Sequence, residues 1–153
     1  MSHNRTSIVV QTPGEMSYLY RIREFITGIA AEVGIDEQDI LNIELAVDEA
    51  CANVIEHGYE PNAPDKSLTI QMEIDDQKLV LKIIDQGKSF DPRLKPPPDI
   101  QKLITMKRDG GLGISLIKQT MDEIDYRRTP EGCNVLILTK YLQLDHNSED
   151  RTL

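Results

Sequence analysis

The chain has 153 residues, 39% of them hydrophobic and 28% charged, a size and composition that fit one folded domain and exclude a disordered chain. Its 17 basic residues against 26 acidic ones leave a net charge of −9, which lacks the electrostatic footprint of phosphate-backbone binding, so direct nucleic-acid contact is set aside. No apolar run approaches the roughly 18 residues of a membrane span, and Met1–Arg5 opens no apolar signal segment. Cys51 and Cys133 are too few for a disulfide framework. The expectation is a cytoplasmic, membrane-free protein with two packed thiols. With no Trp and two Phe, its core must be aliphatic.

Residues 6–11 read as a first strand. Thr12-Pro13-Gly14-Glu15 then predicts a helix start, with Thr12 as cap, Pro13 in the first turn and Glu15 completing a capping box. Leu19, Ile22, Ile26, Ile29 and Val33 form a helical stripe, which Gly34 ends. Asp36 restarts a helix, with Asp39 at the box position and Ile35 and Ile40 as a hydrophobic staple. Its stripe is Ile40, Ile43, Val47, Ala50 and Val54, and it should end near His57-Gly58. Leu68, Ile70, Met72 and Ile74 alternate with polar residues. A turn at Asp75-Asp76-Gln77 leads into 78–84, giving a hairpin of one half-buried and one more buried strand. Residues 85–112 fit no period, and a loop that long inside a domain is usually functional, often a lid. A short helix over 112–122, with Ile114, Leu116, Ile117 and Met121 apolar, precedes a second hairpin of 123–129 and 133–141 around Pro130-Glu131-Gly132. The order β-α-α-β-β-loop-α-β-β predicts an α+β fold: a two-layer α/β sandwich, its sheet mixed or mostly antiparallel, with the helices on one face. One domain, 1–153, is expected, with a core of about 6–141 and a polar tail over 142–153.

Three places carry more polarity than packing needs. Glu49, Asn53 and His57, at i, i+4 and i+8, share a helix face apart from the apolar stripe. A carboxylate one turn from an amide oxygen can hold a hydrated magnesium ion when phosphates complete its shell; a solvated polar face is the alternative. Asp85-Gln86-Gly87 ends a buried strand, where a carboxylate can accept from an exocyclic amine and Gly87 admits a ligand ring. An ordinary turn reads the same way. Gly110-Gly111-Leu112-Gly113 opens a helix, where bare N–H groups suit phosphate, or the glycines are a hinge. Lys107 and Arg108 upstream add charge, or merely solvate. No metal-spaced Cys/His set and no nucleophile elbow occurs.

Taken in order, these motifs resemble the GHKL ATPase superfamily of the Bergerat fold. The N-box is Glu49-Ala50-Cys51-Ala52-Asn53, the first glycine box runs from Asp85 to Pro92, and the second is Gly110 to Gly113. Asp48-Glu49-Ala50 through Asn53, then His57-Gly58-Tyr59, are most similar to the anti-sigma factor serine kinases of the RsbW and SpoIIAB type. The resemblance covers about 6–141. It implies ATP and Mg2+ as cofactors, and the loop over 88–109 as an ATP lid. It implies Asn53 as magnesium ligand, Glu49 as general base, Asp85 on the adenine amine with Gly87 beside the base, and Gly111, Leu112 and Gly113 on the phosphates. Ser89 stands where the broad superfamily prefers glycine, as it does in the anti-sigma kinases. His57 keeps a structural role at the helix end.

That resemblance implies a serine/threonine-protein kinase that phosphorylates a STAS-domain anti-anti-sigma protein, sequesters a sigma factor, and forms a homodimer. Two other readings stand beside it. One is a regulatory module in which ATP only orders the lid, which retained Glu49 argues against. The other is a histidine-kinase-like ATPase domain, although the chain has no room for a dimerisation helix pair with an acceptor histidine; His3 and His146 sit in tail-like segments.

Overall fold

The computed structural model describes residues 5–59, 66–87 and 113–142, with side chains from 117 onward in the last stretch. Strand β1 (Thr6–Pro13) leads through a 3-10 turn (Met16–Tyr18) into α1 (Leu19–Glu32) and α2 (Glu37–Asn53), which widens into a π turn (Val54–Gly58). Strands β2 (Ser67–Ile74) and β3 (Lys78–Asp85), helix α3 (Gly113–Thr120), and strands β4 (Glu123–Arg128) and β5 (Asn134–Tyr141) follow. The expected element order is therefore present. The sheet runs β1-β2-β3-β5-β4, and each neighbouring pair is antiparallel.

Register puts one face of the sheet under the helices. Ile8, Met72, Leu81, Leu138 and Ile124 stand opposite one another across all five strands. They join Ile22, Ile26, Ile43, Val47 and Ile117 from the helices in one core cluster. The core is aliphatic, as the composition requires, and a fully buried side chain such as Leu81 contributes about 1.5–3 kcal/mol. Both β2 and β3 alternate between buried and half-buried positions. β3 is thus no more deeply buried than β2, because its second face looks away from the helices.

The ends of α1 differ from the sequence expectation. Thr12 and Pro13 belong to β1, opposite Leu68 and Ser67, and the Thr12 hydroxyl meets the Pro13 carbonyl rather than capping a helix. Proline is tolerated there because β1 is an edge strand, where its missing N–H breaks no ladder. Gly14 N–H closes the β1–β2 ladder on the Lys66 carbonyl at 2.8 Å. At the other end, the buried stripe is Leu19, Ile22, Ile26 and Ala30, while Val33 is exposed. Gly34, at φ +87°, ends the helix with Gly34 N–H on Ala31 O and Ile35 N–H on Ala30 O. That paired closure turns Ile35 inward beside Ala30.

In α2, Asp36 is the N-cap but makes no side-chain cap bond. Asp39 instead lies 4.0 Å from Lys140 Nζ on β5, which also lies 3.8 Å from Asp122. The buried face of α2 is Ile43, Ala46, Val47, Ala50 and Cys51, with Ile40 and Val54 at its margins. Among the described residues no helix is long and apolar enough to cross a membrane.

Candidate functional site

Helix α2 carries Glu49 and Asn53 one turn apart on its last two turns, both half-buried. Among the described residues neither side chain has a hydrogen-bond partner. Burial pushes the Glu49 carboxyl above the ordinary glutamate range, with Asp48 and then Glu56 adding repulsion. Arg23 of α1 donates from Nε to Asp48 Oδ1 at 3.0 Å, tying the two helices beside Glu49. Cys51 points the other way, wholly into the core, and burial raises its thiol far out of the reactive range. After Asn53 the backbone shifts to i→i+5 geometry over Val54–Gly58, a bulge that often marks a functional site. The wider turn takes His57 off the register that Glu49 and Asn53 share. Its side chain is 70% exposed, 3.7 Å from Glu56.

The bulge delivers Gly58 and Tyr59 to the end of β3. A Cβ on Gly87 would overlap the Gly58 carbonyl oxygen and lie 2.6 Å from its carbon. Gly87 is therefore required for backbone to meet backbone, a reason distinct from the ligand approach expected of it. The Tyr59 hydroxyl donates to Ser67 O at 2.7 Å and accepts from Gln86 N–H at 2.9 Å, so one ring ties the start of β2 to the segment after β3.

Asp85 closes β3 with 6% of its surface exposed. Its Oδ1 accepts from Gly87 N–H at 2.8 Å and from Asn134 Nδ2 at 2.9 Å. Among the described residues its Oδ2 accepts no hydrogen bond. Burial pushes the carboxyl up, opposed by Asn134, by the Gly87 N–H and by the positive charge of Arg128. Tyr126 and Arg128 on β4 bond the Asn134 oxygen at 2.7 and 2.9 Å.

Of the residues the sequence points to, Glu49 and Asn53 thus lie on the last turns of α2, while Asp85 and Gly87 lie at and just beyond the end of β3, which the π turn after Asn53 meets at Gly58. Gly113 opens α3, which packs on α2. Lys107, Arg108, Gly110, Gly111 and Leu112 lie outside the described residues, as do the 88–109 loop and the tail from 143. Asn134, Tyr126 and Arg128 carry no motif in the sequence, and Tyr59 enters there only within His57-Gly58-Tyr59. The one signal was a lone amide heading the apolar run Val135–Leu138, which becomes meaningful once the register sets Asn134 opposite Asp85.

No group of three or more His, Cys, Asp and Glu that could hold a metal occurs among the described residues. A magnesium ion that keeps its waters and borrows phosphate oxygens needs only one or two protein oxygens. The unpartnered carboxylate and amide on α2 fit that demand. A purine amine fits the one Asp85 oxygen that its neighbours leave open.

The sequence matches the histidine kinase-like ATPase domain model over residues 12–140. It is 32% identical over 147 residues to serine-protein kinase RsbW of Bacillus cereus (strain ATCC 10987 / NRS 248), covering 94% of this chain and 89% of that protein. It is 30% identical to serine-protein kinase RsbW of Staphylococcus epidermidis, covering 97% of each. In fold, the chain resembles the crystal structure of the RsbU and RsbW domains of Rv1364c from Mycobacterium tuberculosis, with a TM-score of 0.65 and 18% identity over 90% of this chain and 32% of that one. It also resembles the SiaB-SiaC complex structure from Pseudomonas aeruginosa, with a TM-score of 0.58 and 14% identity over 88% and 89%. The chain belongs to the histidine kinase-like ATPase domain family and, within it, stands with the RsbW serine-protein kinases.

Proposed function

We propose that this chain is an ATP-dependent serine/threonine-protein kinase and anti-sigma factor. It transfers the γ-phosphoryl group of ATP to a hydroxyl on a STAS-domain anti-anti-sigma protein. It sequesters a sigma factor once that antagonist is phosphorylated. The near-full-length likeness to relatives named serine-protein kinase RsbW supports this. The observation that supports the reading is the meeting of Gly58 and Gly87, which brings the π turn that follows Asn53 against the strand end that carries Asp85.

Each residue then has a task. Asp85 accepts a hydrogen bond from the adenine amine, and Gly87 lies beside the base. Asn53 offers its amide oxygen to magnesium, which supplies charge neutralisation along the triphosphate. Gly110, Gly111, Leu112 and Gly113 hold the phosphates through backbone N–H groups, aided by Lys107 and Arg108. Phosphoryl transfer asks mainly for positioning, and Glu49 takes the proton of the acceptor hydroxyl. Burial that raises the Glu49 pKa brings it nearer the working pH of a base. The whole of 1–153 acts as one domain and pairs as a homodimer.

The test is phosphotransfer from labelled ATP to each STAS-domain protein of the source genome, with and without magnesium, beside a pull-down of bound partners. Magnesium-dependent label on one antagonist serine or threonine supports the reading. Partner capture with no transfer to any antagonist would leave a binding module instead.

A further inference from the structure

Asn134 opens β5 directly opposite Asp85 and is buried as deeply, at 3% exposure. Its neighbours fix which way its amide points. Arg128 Nη1 can only donate, and it meets the same atom as the Tyr126 hydroxyl, so that atom is the oxygen. The Nδ2 end therefore donates both to Asp85 Oδ1 and to the Gly87 carbonyl, at 2.9 and 3.0 Å. With the Gly87 N–H, Asp85 Oδ1 receives two donors. A carboxyl oxygen so engaged is not the one that carries a proton, and donors to a carboxylate favour its ionised form. If Asp85 were protonated, the proton would sit on Oδ2, and the same oxygen would become a donor.

We infer that Asn134 is the specificity-determining positioning residue of this pocket: locked by Tyr126 and Arg128, it holds Asp85 as an acceptor-only carboxylate, so the pocket takes a purine with an exocyclic amine at C6 and refuses one with a carbonyl there. The inference rests on the ATP-binding reading above. It adds that Asp85 alone does not choose the base. A buried carboxyl without the Asn134 donor takes up a proton more readily; its protonated form presents O–H to the ligand, for which a C6 carbonyl is an acceptable partner.

The experiment titrates ATP and inosine triphosphate, which carries a carbonyl at C6, into the full-length protein by calorimetry. Wild type should prefer ATP by about tenfold or more, the worth of one hydrogen bond to a charged group. Asn134→Leu should lose most of that preference, with the change falling on the ratio of the two affinities. Asn134→Ser keeps a hydroxyl near Asp85 and should retain part of it, and it carries the test if the leucine variant does not fold. Tyr126→Phe leaves Arg128 on the amide oxygen and should keep most of the preference. If either Asn134 variant weakens both nucleotides equally and leaves the ratio unchanged, Asn134 is only a packing residue and the inference fails. If wild type itself binds both equally, the assignment of Asp85 fails first.

Discussion

The two halves of the candidate site hold their polar groups in opposite ways. At the end of β3, Asp85, Gly87, Asn134, Tyr126 and Arg128 hydrogen-bond one another. At the end of α2, Glu49 and Asn53 stand half-buried with no hydrogen-bond partner among the described residues. A group that must read a ligand gains from being fixed in advance, because the ordering entropy is then met on folding. A group that must hold a hydrated ion, or accept and release a proton, gains from being unclaimed by its own protein. On the proposed function, the comparison therefore separates recognition, built into the sheet, from chemistry, carried on the helix.

The largest expected effect tests the chemical half. Glu49→Gln keeps the size of the side chain and removes its basicity, so ATP affinity should stay nearly intact while transfer to the antagonist falls about 100- to 10,000-fold. The sign of the pH dependence follows from burial. A base works when ionised, and burial raises the Glu49 pKa above its ordinary value. Transfer should therefore rise with pH through that raised pKa, and the rise should vanish in Glu49→Gln. Single-turnover transfer measured across pH checks both. Wild-type rates from the variant would remove Glu49 from the chemistry.

Asn53→Ala comes next. Outer-shell groups already change metal affinity roughly 10- to 100-fold, so removing a direct oxygen ligand should cost at least about tenfold. The loss should appear in ATP affinity with magnesium and be small in EDTA. Equal losses in both would make Asn53 part of a solvated face and would erase the distinction between the two halves.

How much of this was legible in the sequence divides along the same line. Period-2 alternation in β2 and the 3.6-residue stripes of α1 and α2 disclosed the layers, because burial acts on every residue of those elements. Glu49 and Asn53 were legible as polar residues on a helix that did not need them. The anchoring of Asp85 was not, because Asn134 lies 49 positions away and meets it only through the β3–β5 register. The start of α1 was misread for a related reason. Thr12-Pro13 carries helix-start chemistry locally, but pairing with β2 claims both residues first. The bulge after Asn53 leaves no mark in the sequence that periodicity can detect, so the i+8 spacing of His57 assumes an α-helical turn where the chain makes a π turn.

The junction between the halves offers the third test. Gly87→Ala would drive a methyl group into the backbone of Gly58, and backbone has no rotamer with which to yield. The cost should be about 1–3 kcal/mol of stability, as for other overpacked sites. Both halves should suffer together, with weaker nucleotide binding and slower transfer. Gly28→Ala is the control, since nothing lies within 4 Å of its Cβ. In mid-α1 that change should stabilise by about 0.5–1 kcal/mol. Chemical denaturation of both variants reads the difference. A Gly87→Ala protein as stable as wild type would mean that the two ends do not press together.

Tyr59→Phe should give the smallest effect and the sharpest division. The hydroxyl it removes joins Ser67 O to Gln86 N–H. Gln86 is exposed, so water can take over that partner, and the cost should be about 0.5–1.5 kcal/mol. Gln86 stands between Asp85 and Gly87, so loosening it disturbs the reading half without touching Glu49 or Asn53. Nucleotide affinity should fall severalfold, in line with that energy, while the ratio of affinities with and without magnesium stays at its wild-type value. The transfer rate at saturating ATP should stay there too. Calorimetry in both conditions, followed by transfer assays at saturation, measures the two halves separately. If the magnesium ratio moves with the affinity, the tyrosine couples the helix end to the strand end, and recognition and chemistry are one unit instead of two.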